Sequence, residues 1–321
     1  MNAVADKGEN VRTVPRPTDG AAPLTPGHRT VAVLGAGGLM GRAIAANLAG
    51  AGVNVRAWNR SRVKADPLTA LGVRILSTPA KAARGADIVL TILAETDAVI
   101  SAMDGPAGGL AEMSQDSIWL QMSTIGEAGT AKCMTLAERH GVSYVDAPVL
   151  GSRQPAEEGE LIVLASGPDQ ARARLEPIFD VIGERTMWLG EAGAGSRLKL
   201  ALNAWVLTVV EAAAEIIALV EACELDPRSV FDALDGSSLE NPYLRMKGMT
   251  MIERQFEPAF RLALAAKDAA LVHQAAKIRG LQLPMLHAVY ERIAQSAKEH
   301  PDLDISATYL TITRLASLAE R

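Results

Sequence analysis

The sequence predicts an α/β chain: a doubly wound, parallel-sheet domain followed by an all-α domain. Three observations predict it. Short β-rich runs alternate with helical segments up to about residue 190, the grammar of a parallel sheet with helices on both faces. The first run passes directly into a glycine turn and a helix, over Val31-Ala32-Val33-Leu34-Gly35-Ala36-Gly37-Gly38-Leu39-Met40-Gly41. From Gly193 onward no strand pattern remains, and Pro227, Pro242, Pro258, Pro284 and Pro301 punctuate helical segments. The chain is therefore expected to divide into a disordered tail (1–28), a nucleotide-binding domain (29–192) and a helical substrate and dimerisation domain (193–321).

The elements follow in order. Val31 to Leu34 is an apolar strand, and Gly41 to Ala51 a helix closed by Gly52. Val53 to Trp58, Val73 to Leu76, Ile88 to Leu93, Ser117 to Met122 and Ser143 to Val145 read as further strands. Leu161 to Ala165 and Thr186 to Leu189 flank a helix over Pro168 to Ile182. Helices are then expected over 195–223, 227–235, 260–279, 285–299 and 305–319. From Leu200 to Cys223 the residues are mostly Ala, Leu, Val and Ile, which predicts a helix buried nearly all round. Asn203, Glu211 and Glu215 interrupt it, so a soluble buried helix is expected rather than a membrane span.

Composition excludes several classes. The net charge is −5 with no long block of like charge, which argues against a nucleic-acid partner. Residues 1–28 hold Pro15, Pro17, Pro23 and Pro26 and no apolar run, so they do not read as a secretory signal. Cys133 and Cys223 lie far apart and predict packed thiols in a reducing, cytoplasmic compartment. His28, His140, His273, His287 and His300 have no metal-ligand spacing, so no metal site is expected.

The glycine turn suits a dinucleotide. Gly35, Gly37 and Gly38 let the backbone approach a pyrophosphate, and the N–H groups at Leu39 and Met40 open the helix toward its charge. Counted from Gly35, Met40 falls where the third glycine belongs; counted back from Gly41, Ala36 falls first. The loop thus reads as carrying one extra residue, within a Rossmann-type domain. Eighteen residues after Gly41 comes Asn59-Arg60-Ser61, with Arg62 and Lys64 behind. A carboxylate there would hold the ribose hydroxyls of NAD; a guanidinium and a hydroxyl suit the 2′-phosphate of NADP. NADPH is the expected cofactor.

Lys199 opens the long apolar helix, and Asn203, four residues on, shares its face. A lysine beside a carboxamide within reach of a nicotinamide supplies what carbonyl reduction needs, a proton donor and an orienting hydrogen bond.

Five segments now stand in order: the glycine loop, Met122-Ser123-Thr124-Ile125, Asp146-Ala147-Pro148-Val149-Leu150-Gly151-Ser152, Gly193 to Asn203, and Lys267-Asp268 after Phe260. Together they resemble the β-hydroxyacid dehydrogenase family, which includes 3-hydroxyisobutyrate dehydrogenases and glyoxylate/succinic semialdehyde reductases. Pro155-Ala156-Glu157-Glu158-Gly159-Glu160-Leu161 is most similar to the latter branch, and Asn59-Arg60-Ser61 agrees with its NADPH preference. The resemblance implies Lys199 as catalytic residue with Asn203 as helper, and Thr124 at the nicotinamide side, touching cofactor and substrate. Leu93 is placed with the cofactor-binding residues, as is Lys267, which would close over the cofactor. Gly151, Ser152 and Asp268 fall to the substrate. A homodimer or higher homo-oligomer is also implied, with the cleft near the C-terminal ends of the strands.

One position departs from the family. Where Ser-Gly-Gly is common, this chain has Leu150-Gly151-Ser152. Leu150 cannot donate a hydrogen bond to a substrate carboxylate; it fits a pocket wall or a core position, with Trp205 and Tyr243 as further candidates to line an apolar pocket and Trp205 fitting helix-interface packing equally well. Imine reductases share the architecture and resemble this chain at the glycine and Asn-Arg-Ser segments. They usually lack the lysine, so Lys199 favours carbonyl chemistry on a small aldehyde or keto acid; imine or ketone reduction on a bulkier apolar substrate is the alternative.

Overall fold

The computed structural model describes residues 12–14 and 29–312. Its contacts divide the chain into two compact units, with the boundary after Lys199.

In the first unit the strands are β1 (Arg12–Val14), β2 (Thr30–Leu34), β3 (Asn54–Trp58), β4 (Arg74–Ile75), β5 (Ile88–Thr91), β6 (Ile118–Gln121), β7 (Ser143–Asp146), β8 (Val149–Leu150), β9 (Leu161–Ala165) and β10 (Gly183–Trp188). Between them run α1 (Leu39–Gly50), α2 (Pro79–Ala83), α3 (Thr96–Met103), α4 (Gly126–Arg139), α5 (Arg153–Glu158) and α6 (Asp169–Ile182). The main sheet is six-stranded in the order β4-β3-β2-β5-β6-β7. All its pairings are parallel. Each central strand is apolar on both sides because helices cover both faces. Val31, Val33, Leu90 and Leu120 pack with α1 and α6, while Ala32, Leu34, Val89 and Trp119 pack with α2, α3 and α4. The strand order reverses between β2 and β5, so the crevice at their C-terminal ends is the expected ligand position.

A second sheet has the order β1-β10-β9-β8, with β9 and β10 parallel and both edges antiparallel. An isolated bridge joins Asp146 to Ser166, tying the end of β7 to the residue after β9.

The helix α7 (Ala194–Ala222) crosses the boundary, and α8 (Arg228–Leu234), α9 (Pro242–Ile252), α10 (Leu262–Ile278) and α11 (Pro284–Glu299) complete the second unit. Its core gathers Leu207, Val210, Ala214 and Ile217 of α7 with Leu262, Ile293 and Tyr309. Asp304 is a buried hub. Its carboxylate pairs with Lys247 at 2.7 Å and accepts the backbone N–H groups of Ala259 and Phe260, fixing the chain on its way into α10.

Several expectations need correction. Helix α9 was not expected, because Pro242 reads as punctuation. Here it occupies the first turn, where no N–H is needed, and the Asn241 side chain caps the helix by accepting from Tyr243 N and Leu244 N. Strand β8 and helix α5 were not expected either; both are too short for periodicity to register. Helix α7 is not buried all round: Trp205 is 51% exposed and Leu219 65%. By length and composition α7 could cross a membrane, yet its buried face packs into the helical core and its charged and polar residues interrupt it. Cys133 is buried as expected, whereas Cys223 lies exposed just past the end of α7. In the tail, Arg12–Val14 forms β1, because the open edge of β10 offers unpaired backbone groups. The segment expected as a helix over 305–319 begins as a 3-10 turn at Ile305–Thr308; residues beyond 312 lie outside the described residues.

Candidate functional site

The glycine turn is held by backbone. Gly35 N and Ala36 N both donate to Trp58 O, at 2.9 and 3.3 Å, which locks the turn to the end of β3. Gly35 has φ +106°, and a Cβ there would meet Ile92 O at 2.2 Å; no other residue fits. Gly41 lies inside α1, where a Cβ would fall 2.3 Å from Gly35 O. Gly41 is therefore the third glycine, the one that lets helix and turn close, and the loop does carry an extra residue. Gly38 is the N-cap of α1 and is exposed, with no side chain capping the helix. The first N–H groups of α1, around Leu39 and Met40, are left without a side-chain cap, a geometry that suits a phosphate. These features fit a dinucleotide.

Asn59, Arg60 and Ser61 divide their tasks. Asn59 is turned inward: its Oδ1 accepts from Gly37 N at 3.1 Å and its Nδ2 donates to Ser61 O at 2.8 Å. It staples the glycine loop to the following turn, with both amide ends used inside the protein. Arg62 is drawn off by Asp66 at 3.2 Å. Arg60, Ser61 and Lys64 are exposed.

The neighbouring rim is built by β5 and β6. Trp119 Nε1 donates to Thr91 Oγ1 at 2.9 Å, and Gln121 clasps Ser123 through both its backbone groups, at 2.6 and 2.9 Å. Ser123 Oγ in turn accepts from Leu93 N at 2.8 Å. Leu93 sits beside the turn, its Cδ2 3.0 Å from where a Gly35 Cβ would be. Thr124 is half-buried and follows this clamp directly.

Asp146 has a role that the sequence does not make legible. It is fully buried at the end of β7. Its carboxylate accepts Ser196 N and Ser196 Oγ, each at 2.7 Å, and Ser166 Oγ at 3.3 Å. Ser166 Oγ also accepts Gly195 N at 2.9 Å. The start of α7 is thus pinned by a carboxylate at its N-terminal end, where a negative charge is favoured. Burial pushes the Asp146 carboxyl above its ordinary value, while the Ser196 hydrogen bonds pull the other way. Burial, with Asp146 nearby, pushes the Cys133 thiol up to about 12, so it stays protonated and inert. In the segment that holds Asp146 the pattern points only to Leu150, Gly151 and Ser152; a lone acid at a strand end carries no periodic signal.

Lys199 lies one turn beyond Ser196 and is 9% exposed. Asn203, the next turn along α7, is 3% exposed. Its Nδ2 donates to Asp268 Oδ2 at 2.8 Å, and Lys267 Nζ stands 2.7 Å from the other oxygen of the same carboxylate. Asn203, Lys267 and Asp268 therefore form one cluster in the helical unit, Lys267 being occupied by its neighbour. Leu150 is half-buried on β8, paired antiparallel with Ile162. Gly151 follows with φ +133°, and Ser152 is the N-cap of α5. Trp205 and Tyr243 come together with ring centroids 6.2 Å apart.

Comparison with known proteins fits this geometry. Residues 30–190 match the family described as the NAD binding domain of 6-phosphogluconate dehydrogenase. Residues 193–312 match the family described as NAD-binding of NADP-dependent 3-hydroxyisobutyrate dehydrogenase. Glyoxylate/succinic semialdehyde reductase 1 of Arabidopsis thaliana is 30% identical over 271 residues, covering 84% of this chain and 94% of the relative. The structure of Mycobacterium tuberculosis 3-hydroxyisobutyrate dehydrogenase with L-serine superposes with a TM-score of 0.79 at 28% identity, covering 88% of this chain and 99% of the other. An imine reductase from Myxococcus stipitatus in complex with NADP+ has a TM-score of 0.58 at 20% identity, covering 87% and 98%, a likeness of fold.

Proposed function

Because the chain belongs to the β-hydroxyacid dehydrogenase family and is an NAD(P)-dependent oxidoreductase of that type, we propose that it uses NADPH to reduce a small aldehyde or keto acid to the hydroxy acid. The observation that carries this reading is Lys199: a buried lysine, one turn from a buried asparagine, on a helix whose start is pinned by Asp146. A buried ammonium is costly unless it is paired, hydrogen-bonded or given a task.

When bound, the reduced nicotinamide supplies the hydride. Lys199 donates a proton to the developing alkoxide oxygen, and its charge stabilises that oxygen beforehand. Asn203 is held by Asp268 through its Nδ2, which fixes the orientation of its amide. The backbone around Gly151 and Ser152 receives the substrate carboxylate. Arg60 and Ser61 select the 2′-phosphate, and Lys267 and Thr124 complete the cofactor and substrate contacts. The catalytic machinery falls in a cofactor domain (29–192) and a helical domain (193–321), which we place in the cytoplasm as a homodimer.

Lys199→Met tests the mechanism, since it keeps bulk and removes the charge. Carbonyl reduction should fall by about 10²–10⁴-fold, the usual worth of a positioned general acid, while NADPH affinity stays nearly intact. A folded Met variant that keeps most of its activity would overturn the assignment.

A second reading is reduction of a bulkier apolar ketone or imine. Leu150 favours it, an isobutyl group where the family commonly places a hydroxyl. Turnover of glyoxylate and succinic semialdehyde against aryl ketones and cyclic imines separates the two.

A further inference from the structure

The outer edge of the parallel sheet carries a second basic site. A cavity of about 280 Å³ is lined by Arg56, Arg74, Leu76, Lys81 and Arg84. Four of these five residues are cationic, in a chain whose net charge is −5. Arg56 of β3 and Arg74 of β4 are direct register partners. Like charges placed directly opposite one another across a strand pair destabilise a sheet, so this pairing works against the fold unless an anion joins it.

The acids nearby do not supply that anion. Glu112 is taken by Arg84 through two hydrogen bonds, at 2.8 and 2.9 Å. Arg56 donates one guanidinium N–H to Arg84 O, which fixes its plane, and its Nε has no acceptor. Lys81 Nζ donates to the hydroxyl of Ser77 at 3.2 Å, a neutral partner. Among the described residues, no carboxylate forms an ion pair with Arg56, Arg74 or Lys81. The cavity also lies beside β3 and β4 and against α2, whereas Arg60 and Ser61 stand past the C-terminal end of β3.

We infer that this pocket binds a small phosphate-bearing metabolite at a site separate from the dinucleotide. Guanidinium forks and an ammonium around one cavity are the chemistry of phosphate recognition. Leu76 supplies an apolar wall for the organic part of a phosphate ester. The inference goes beyond the reductase reading and does not depend on it.

Inorganic pyrophosphate is the probe, titrated calorimetrically into the full chain with and without saturating NADPH. Arg74 and Lys81 are exposed, so Arg74→Glu and Lys81→Glu are expected to fold. Each should weaken pyrophosphate binding about tenfold or more, equivalent to one decade in Kd. Arg185→Glu, an exposed arginine on β10, controls for general charge and should leave binding unchanged. Saturating NADPH should not displace the probe. Absence of binding, or equal binding by all variants, overturns the inference. Displacement by NADPH also overturns it, assigning the pocket to the cofactor's own phosphates. If NADPH fails to bind at all, the reductase reading falls while the titration without cofactor still decides this site.

Discussion

The Asp146 carboxylate receives both the backbone N–H and the hydroxyl of Ser196, each at 2.7 Å. Ser196 stands three residues ahead of Lys199, so the bond pair anchors the first turn of α7 one turn before Lys199. Ser196→Ala removes one of the two bonds and leaves a buried carboxylate oxygen short of a donor. The expected loss is about 1–3 kcal/mol of unfolding free energy, read by urea denaturation. A variant as stable as the parent would show that the hydroxyl bond contributes nothing net.

Asn59 and Arg60 mark what the sequence makes legible and what it does not. The segment reads as a cofactor contact because an acid is absent at the end of the second strand. Which of its residues faces solvent was not legible, since adjacent positions in a turn have no period. The structure spends Asn59 on the glycine loop and leaves Arg60 exposed. Arg60→Ala should therefore weaken NADPH binding by about 1.5–3 kcal/mol, the worth of a charge-assisted hydrogen bond, and leave NADH nearly unaffected. Fluorescence titration with each cofactor makes the comparison. Equal losses would mean that Arg60 does not touch the 2′-phosphate.

The same contrast runs through the fold. The parallel strands were visible because an apolar strand leading into a glycine turn has few alternatives. Helix α9 was hidden because Pro242 and Gly248 are breakers in isolation. Only the Asn241 cap and the packing of Gly248 against Phe231 explain them: a Cβ on Gly248 would sit 2.3 Å from the ring. Asp146 was hidden for a different reason. Its partners Ser166 and Ser196 are distant in sequence, and pairing at such separations follows from topology rather than from local pattern.

The exposed face of α7 predicts self-association. Ala201, Trp205, Ile216 and Leu219 recur at helical spacing and are exposed, Trp205 at 51% and Leu219 at 65%. An apolar stripe of that kind marks an interaction surface, and a second copy of this chain is the occupant we propose. The protein should sediment as a dimer or larger at micromolar concentration. Leu219→Asp, which places a charge in the stripe, should shift it toward monomer. A parent protein that already sediments as a monomer would remove the basis for the dimer.

Glu211 gives the fold a pH signature. It is 4% exposed on α7; Thr308 Oγ1 donates to it at 2.6 Å, and Arg292 Nε lies 4.0 Å away. Burial pushes its carboxyl from an ordinary value of 4.5 up to about 7, against the opposing pull of Thr308 and Arg292. Between those two values the unfolded chain has lost the proton while the folded chain keeps it. The folded state then binds more protons, so stability falls as pH rises through the window and levels off above about 7. With each pH unit worth 1.36 kcal/mol, the loss is on the order of 3 kcal/mol. Glu211→Gln keeps the acceptor for Thr308 and cannot ionise. Its stability relative to the parent should rise from about pH 5 to about pH 8, as read by urea unfolding at each pH. Parallel curves for parent and variant would mean that Glu211 is ionised throughout, its charge met by Arg292.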